Sequence, residues 1–205
     1  TYKGVGSGNL DVNHSLARTP EMIWVKRRNA ASNWCVGHKD FNGGTNPWNY
    51  FAILNTTAAV SEGNYWTQGT TPTATKFSVN NGPGNNLTNN NGDEYIAMLF
   101  ASVAGISKVG SYTGNGGNQT ITFGIHPRFV IIKSSSLANT GWVVLDTVRG
   151  WTDSDSRSIR LDRTNAQGGS DSGYGYATST GMALTGDGGT HTNENGAKYI
   201  YYAHA

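Results

Sequence analysis

Only one cysteine, Cys35, occurs in the 205 residues of the chain. No internal disulfide can form, so a disulfide-stapled scaffold is excluded. Cys35 lies in the alternating stretch NWCVG, where a small buried apolar residue is expected. Charge is scarce as well: 14% of residues are charged and the net charge is +2. A nucleic-acid partner, which requires a clustered basic face, is therefore not expected. The one basic run, Lys26-Arg27-Arg28, follows an apolar strand and reads as a solvated strand end. No apolar stretch approaches the roughly 18–20 residues of a membrane-spanning helix, so membrane insertion is not expected. Amphipathic helical periodicity is missing: no window of about fifteen residues keeps apolar residues at i, i+3, i+4 and i+7 without a Gly or Pro break. No leader is visible and the first residue is Thr1, which reads as a processed or excised piece of a longer protein.

What is present is turn chemistry. The chain holds 28 Gly, with Asn, Ser and Thr clusters separating short apolar runs, the composition of an all-β protein. It also repeats itself. NNNGDEYIAMLFA at 89–101 and NENGAKYIYYAHA at 193–205 share Asn, Gly and Tyr-Ile at the same places. KGVGS at 3–7 resembles SKVGS at 107–111, and TPEMIWVKRRNAASNWCV at 19–36 aligns with HPRFVIIKSSSLANTGWVV at 126–144. These matches pair Pro20 with Pro127, Lys26 with Lys133 and Trp34 with Trp142; ILNTTAA at 53–59 then pairs with RLDRTNA at 160–166. Order is preserved throughout, so the chain is read as a duplication with a seam near 101–105.

Each repeat, 1–102 and 105–205, is expected to form a small antiparallel β-sandwich of lectin or jelly-roll type with about six strands. Merger of the two into one larger sandwich is the alternative. The strands are expected at the Val-Gly-Ser signature (Val5, Val109), after each Pro, at each Trp, at NYFAILN and RSIRLDR, at KFSVN and GMALTG, and at the Tyr-Ile stretch. The Asn-Gly turn before that last strand is expected to open a hairpin. Ile23, Val25, Ile96, Val130, Ile132 and Ile200 are the expected core.

In the second half, Pro127, Lys133, Trp142, DTVRG at 146–150, Leu161 and NENGAKYIYYA follow one another in order. This succession resembles a repeat family of unknown chemistry found in tail-fibre and other virion-surface proteins of marine bacteriophages. The likeness extends over nearly the whole chain, but in the first half HKDFNGG at 38–44 stands in place of the Asp-x-x-Arg-Gly motif. The resemblance implies a lectin-like β-sandwich on a virion surface and no catalytic residues.

Residues that carry chemistry are few. Asp153 and Asp155 in WTDSDSRS form an Asp-x-Asp loop, a weak Ca²⁺ candidate that reads equally as an Asx turn; Asp187 in TGDGGTH is similar. No cofactor is otherwise implied. The five His show no metal-ligand spacing. Aromatics in Asn- and Gly-rich loops are the stronger signal: Trp48, Tyr50, Tyr65 and Trp66 in the first half, and Trp151 beside Arg149 in the second. Exposed, such rings stack on sugar faces while polar neighbours bond hydroxyls; buried, they pack loops.

The expected function is thus a non-enzymatic structural or adhesion module of a phage-like particle, a tail fibre or surface protein at the virion surface or outside the cell. Its expected partners are other virion subunits or further copies of itself in a homo-oligomer, and a host-surface glycan. A secreted bacterial carbohydrate-binding module or lectin, and a ligand-free capsid decoration or self-assembling fibre subunit, are the alternatives.

Overall fold

A computed structural model of the chain describes residues 1–82, 86–168, 172–186 and 189–205. The protein is all-β, built from antiparallel sheets. It divides into two compact units, Thr1–Leu54 with Val60–Ala101, and Asn55–Ala59 with Ser102–Ala205.

The first unit contains β1 (Tyr2–Lys3), β2 (Asn9–Asn13), β3 (Met22–Arg27), β4 (Cys35–His38), β5 (Tyr50–Ile53), β6 (Ser61–Glu62), β7 (Lys76–Asn80) and β8 (Glu94–Phe100). One sheet has the order β1-β8-β3-β4-β5-β6, and β2 pairs with β7 in the other. The second unit contains β9 (Ser107–Thr113), β10 (Gln119–Thr122), β11 (Phe129–Ser134), β12 (Val143–Asp146), β13 (Ser158–Arg160), β14 (Tyr176–Thr178), β15 (Gly181–Leu184) and β16 (Lys198–His204). Its sheets run β9-β16-β11-β12-β13 and β10-β15-β14.

The two-residue period of a strand sends alternate side chains to one face. In the first unit Ile23, Val25, Cys35 and Tyr95 meet Val12, Phe77 and Val79 from the smaller sheet in one buried cluster. In the second, Val130, Ile132, Val143, Leu145, Tyr199, Tyr201 and Ala203 meet Met182 and Leu184. Each unit is therefore a two-layer sandwich with its core between the sheets. Ile96 departs from the expected core. It is half-buried, because β8 turns Tyr95, Ala97 and Leu99 inward and Ile96 to the opposite face. Ile23, Val25, Val130, Ile132 and Ile200 are buried.

The spelling shared by the two halves has a physical cause. Tyr2 lies opposite Tyr95 in the sheet, and Tyr112 opposite Tyr199. Their rings stack, with centroids 5.1 Å and 5.0 Å apart. Tyr2 Oη donates to Thr88 O at 2.6 Å and Tyr112 Oη to Thr192 O at 2.7 Å. The next residue in each unit is a buried Asn. Asn89 Oδ1 accepts from Val5 N at 2.9 Å and its Nδ2 donates to Gly8 O at 3.2 Å. Asn193 Oδ1 accepts from Asn115 N at 3.1 Å, and its Nδ2 donates to Gly117 O at 2.5 Å and to Thr185 O at 3.1 Å. Tyr95 Oη and Tyr199 Oη then accept from Asn90 N at 3.0 Å and Glu194 N at 2.9 Å. The chain passes so closely here that a Cβ at Gly4 or Gly114 would strike the carbonyl oxygen of Asn90 or Glu194.

This network corrects two expectations. Val5 answers to Asn115, not to Val109, so KGVGS and SKVGS are not equivalent; the shared signature is Tyr-x-Gly-x-Gly at 2–6 and 112–116. The Asn-Gly turns do not open hairpins. Gly92 and Gly196 take left-handed backbone angles, φ 79° and 76°, but the strands they lead into pair with β1 and β3, or with β9 and β11. The sequence reading also lacked β2, β6, β10 and β14, which are short or carry polar residues on one face.

Asn193→Ala leaves the Asn115 N–H, the Gln119 amide and two carbonyl oxygens without their partner. It is expected to lower stability by about 3 kcal/mol in a urea titration, whereas Asn195→Ala, at an exposed position in the same turn, is expected to stay within about 0.5 kcal/mol.

Candidate functional site

Most of the loop aromatics are buried rather than exposed. Trp48 is 4% exposed, Tyr65 2%, Trp66 1% and Trp151 2%. Their rings fill space that glycines leave open. A Cβ at Gly37 would lie 2.6 Å from the Trp48 ring and 2.7 Å from that of Trp66, and one at Gly82 would lie 2.5 Å from the Tyr65 ring. Trp48 and Trp66 meet edge to face, with centroids 5.6 Å apart. Tyr50 lies half-buried at the start of β5.

Arg149 belongs to a capped turn. Asp146 accepts from Val148 N at 2.9 Å and Arg149 N at 3.2 Å, and also from Arg128. Arg149 Nε stands 3.7 Å from Asp146 Oδ2, and Gly150 closes the turn at φ 102°. Burial acts to raise the Asp146 pKa, but Arg128 and the two backbone donors outweigh it and hold the group below its ordinary value. The Asp-x-x-Arg-Gly motif is accounted for as turn architecture. In the first unit His38 Nδ1, accepting from Asp40 N at 3.0 Å, caps the corresponding turn, which is how HKDFNGG substitutes for it. Asp153 is exposed, and Asp155 Oδ2 is held by Arg157 Nε at 2.8 Å. Among the described residues no group of three or more His, Cys, Asp or Glu is placed to hold a metal ion. Asp187 lies outside the described residues.

The second unit instead gathers charge at one end of its sandwich. Arg160 closes β13, and its guanidinium lies 5.7 Å from the Tyr174 ring centroid. Arg160 Nη2 donates to Tyr174 Oη at 2.6 Å, and Nη1 stands 3.1 Å from His191 Nδ1. An arginine can only donate, so His191 Nδ1 is the acceptor and the ring proton sits on Nε2. His191 comes from α1 (Gly189–Thr192), a single helical turn. The Asp162 side chain is fully buried. Its Oδ1 accepts from Trp142 N at 2.6 Å, and its Oδ2 lies 3.4 Å from Arg163 Nε. Gly141 leaves room for both groups: a Cβ there would lie 2.5 Å from Arg160 Nη1 and 2.6 Å from Asp162 Oδ1. Lys133 is buried on β11, its Nζ donating to Thr140 O and Oγ1, each at 2.9 Å.

Burial dominates the titration of this group. It lowers the Lys133 pKa to about 8 against the opposing pull of Asp162. It lowers the His191 pKa to about 4, helped by Arg160 and Arg163. At neutral pH Lys133 therefore remains largely a cation beside the Arg160 and Arg163 guanidinium groups, and His191 is neutral. Such a set can receive an anionic group; Arg160 uses two of its five N–H donors among the described residues.

The two units differ sharply at this place. Leu161 N bonds Trp142 O, and Leu54 N bonds Trp34 O, both at 3.1 Å, so Arg160 answers to Ile53. Thr192 answers to Thr88, so His191 answers to Leu87, which is buried. Sequence reasoning aligned ILNTTAA with RLDRTNA but passed over the Ile53/Arg160 contrast, and it read His191 as one of several scattered His. The missed signal was a charged residue facing an apolar one across an otherwise faithful repeat.

His191 gives this site a pH signature in stability. In the unfolded chain its pKa is about 6.5; folded it is about 4. The folded state thus binds fewer protons between these values, and stability is expected to fall as pH drops from about 6.5 toward 4. Urea midpoints at pH 7 and pH 5, compared with those of His191→Leu, check this: the variant is expected to lose that part of the pH dependence.

A family model described as a domain of unknown function (DUF7483) matches residues 1–205. No curated protein and no solved structure matches the chain.

Proposed function

The chain belongs to the DUF7483 family, and from that premise we propose that it is a non-enzymatic recognition module of a virion surface whose second unit binds an anionic group of a host-surface glycan at the Arg160 cluster. The observation that carries this reading is the divergence of two units built on one frame. The stacked tyrosines and the buried Asn bonded to the Gly-x-Gly segment are kept in both units, while Ile53 and Leu87 are exchanged for Arg160 and His191. A partly buried cluster of charge is costlier to hold in a sandwich end than apolar side chains of similar size, and a binding role gives a reason to hold it.

The chemistry favours binding over catalysis. The His191 Nδ1 lone pair already faces Arg160, so the ring presents no free base at that atom. The Arg160 fork matches carboxylate and sulfate geometry. Partner subunits of the particle, or further copies of the chain, complete the proposed setting, which rests on the likeness of the Pro–strand–Lys–loop–Trp units to virion-surface repeats.

A glycan array tests this directly. Carboxylated or sulfated glycans are expected to be retained and their neutral counterparts not, and Arg160→Ala is expected to weaken binding at least about tenfold, one charge-assisted hydrogen bond's worth, with little change in melting temperature. Because His191 is neutral above about pH 4 and Lys133 loses its charge as pH rises through about 8, binding is expected to be flat from pH 5 to 7 and to fall above pH 8. Equal retention of neutral glycans would sink the anionic site, and no retention of any kind would leave a ligand-free structural subunit.

A further inference from the structure

The smaller sheets of the two units turn different rows of side chains away from their cores. In the first unit Phe77 and Val79 of β7 face the core, so Ser78 between them faces outward. Asp11 of β2 lies opposite Ser78 on one side, and on the other Thr67 N donates to Ser78 O at 3.2 Å. In the second unit Met182 and Leu184 of β15 face the core, and Ala183 faces outward. Thr120 of β10 and Tyr176 of β14 both lie opposite Ala183. Tyr176, Ala183 and Thr120 thus stand where Thr67, Ser78 and Asp11 stand in the first unit.

The first row closes on itself. Ser78 Oγ donates to Asp11 Oδ1 at 2.5 Å and Lys76 Nζ to Asp11 Oδ2 at 2.6 Å, and Thr67 and Ser78 are buried. The second row does not close. The Tyr176 and Thr120 hydroxyls make no hydrogen bond among the described residues, and the side chain between them is the methyl group of Ala183. This row lines a groove with a cavity volume of about 450 Å³, together with Asn118, Thr185 and Asp153 among others. Asp153 reaches the groove from a turn in which Thr152 and Asp155 exchange backbone hydrogen bonds at 2.7 and 3.3 Å. Its carboxylate is exposed, makes no hydrogen bond among the described residues, and is the one charged side chain of the lining.

We infer that this groove is a second binding site, for one neutral sugar residue, seated over Ala183 with its C–H face against the Tyr176 ring and two of its hydroxyls on the Asp153 carboxylate. A pyranose has an apolar face and a rim of hydroxyls, and the groove answers with a ring and a methyl group surrounded by polar side chains. Three adjacent strands hold Tyr176 and Thr120 about 10 Å apart at the backbone across Ala183, room for one sugar ring. An ionised carboxylate only accepts hydrogen bonds, so Asp153 suits hydroxyl donors and opposes an anionic group. The site is therefore independent of the Arg160 cluster and opposite to it in preference. The frame itself does not call for the tyrosine, since the first unit builds the same row with Thr67.

One sugar residue held by these contacts binds in the millimolar range, too weakly for an array to retain it. The test is an NMR titration of the 205-residue protein. The methyl pyranosides of glucose, galactose and mannose are each added to about 100 mM, past the affinity expected, while backbone amide shifts are followed. At least one is expected to shift the Thr120, Asp153, Tyr176 and Ala183 amides saturably. Methyl glucuronide, which carries a carboxylate, is expected to give no saturable shift there. Tyr176→Ala and Asp153→Ala, both at outward-facing positions, are each expected to weaken the sugar about tenfold, through loss of the ring contact or of the charge-assisted hydrogen bonds. Arg160→Ala is expected to leave this binding unchanged, so the two sites stand or fall separately. No saturable shift with any of the three sugars would overturn the inference. So would binding that both groove variants leave undiminished, an equal response to methyl glucuronide, or a response to tetramethylammonium alone, which would mark a cation site instead.

Discussion

Each unit is organised around one buried carboxamide. Asn89 and Asn193 are fully buried, and a buried amide without partners is strongly destabilising. Both find those partners in a passing loop: the Oδ1 takes an N–H from the Gly-x-Gly segment and the Nδ2 returns a bond to a carbonyl further along. Because the groups joined lie far apart in sequence, the amide fixes where the first strand must enter relative to the last. The stacked tyrosines, the Gly that lets two backbones pass, and the Thr carbonyl capped by a tyrosine hydroxyl all follow from that placement. The repeated spelling is thus a requirement of hydrogen-bond closure in the interior, where satisfied networks specify a single arrangement.

Much of the frame was legible in the sequence because it depends on local periodicity. The continuous apolar runs at 21–26 and 128–133 became β3 and β11, and the Tyr-Ile stretches became β8 and β16. The first strand was misaligned because Val-Gly-Ser is similar by letter while Tyr-x-Gly-x-Gly is equivalent by bonding, and only the partners of Asn89 and Asn193 distinguish them. The loop aromatics were misplaced for a related reason. Asn- and Gly-rich surroundings read as solvent, yet Gly37 and Gly82 are vacancies into which Trp48, Trp66 and Tyr65 pack. Glycine in these positions reports close packing of a neighbour, not exposure, and the neighbour is distant in sequence.

The candidate site was invisible for a different reason. Arg160, Asp162, Tyr174, His191 and Lys133 share no spacing that a motif would capture; four separate elements deliver them. What made them visible was comparison within the molecule. Lys133 keeps the role of Lys26, each donating to a carbonyl of the loop between its strand and the next. Arg160 and His191 have no such counterpart, since Ile53 and Leu87 take their places.

Duplication therefore provides its own control. Where both units retain the same bond, the interior demands it; where they part, the frame is indifferent and something else decides. They part at the charged end of the second unit and at Ala97 of the first, which stands where the second has Tyr201, and the two departures are opposite in kind. One adds charge at positions that are apolar in the partner repeat. The other removes a ring, Tyr201 becoming Ala97, and removes with it the need for a glycine strand alongside. A large inward ring excludes a side chain from the position opposite, as at Gly110, whereas Ala97 makes no such demand, and the exchange leaves the Tyr95 stack one pair away undisturbed. A sandwich whose closure rests on an internal amide can tolerate both changes, because neither touches the bonds that set the entry of its strands.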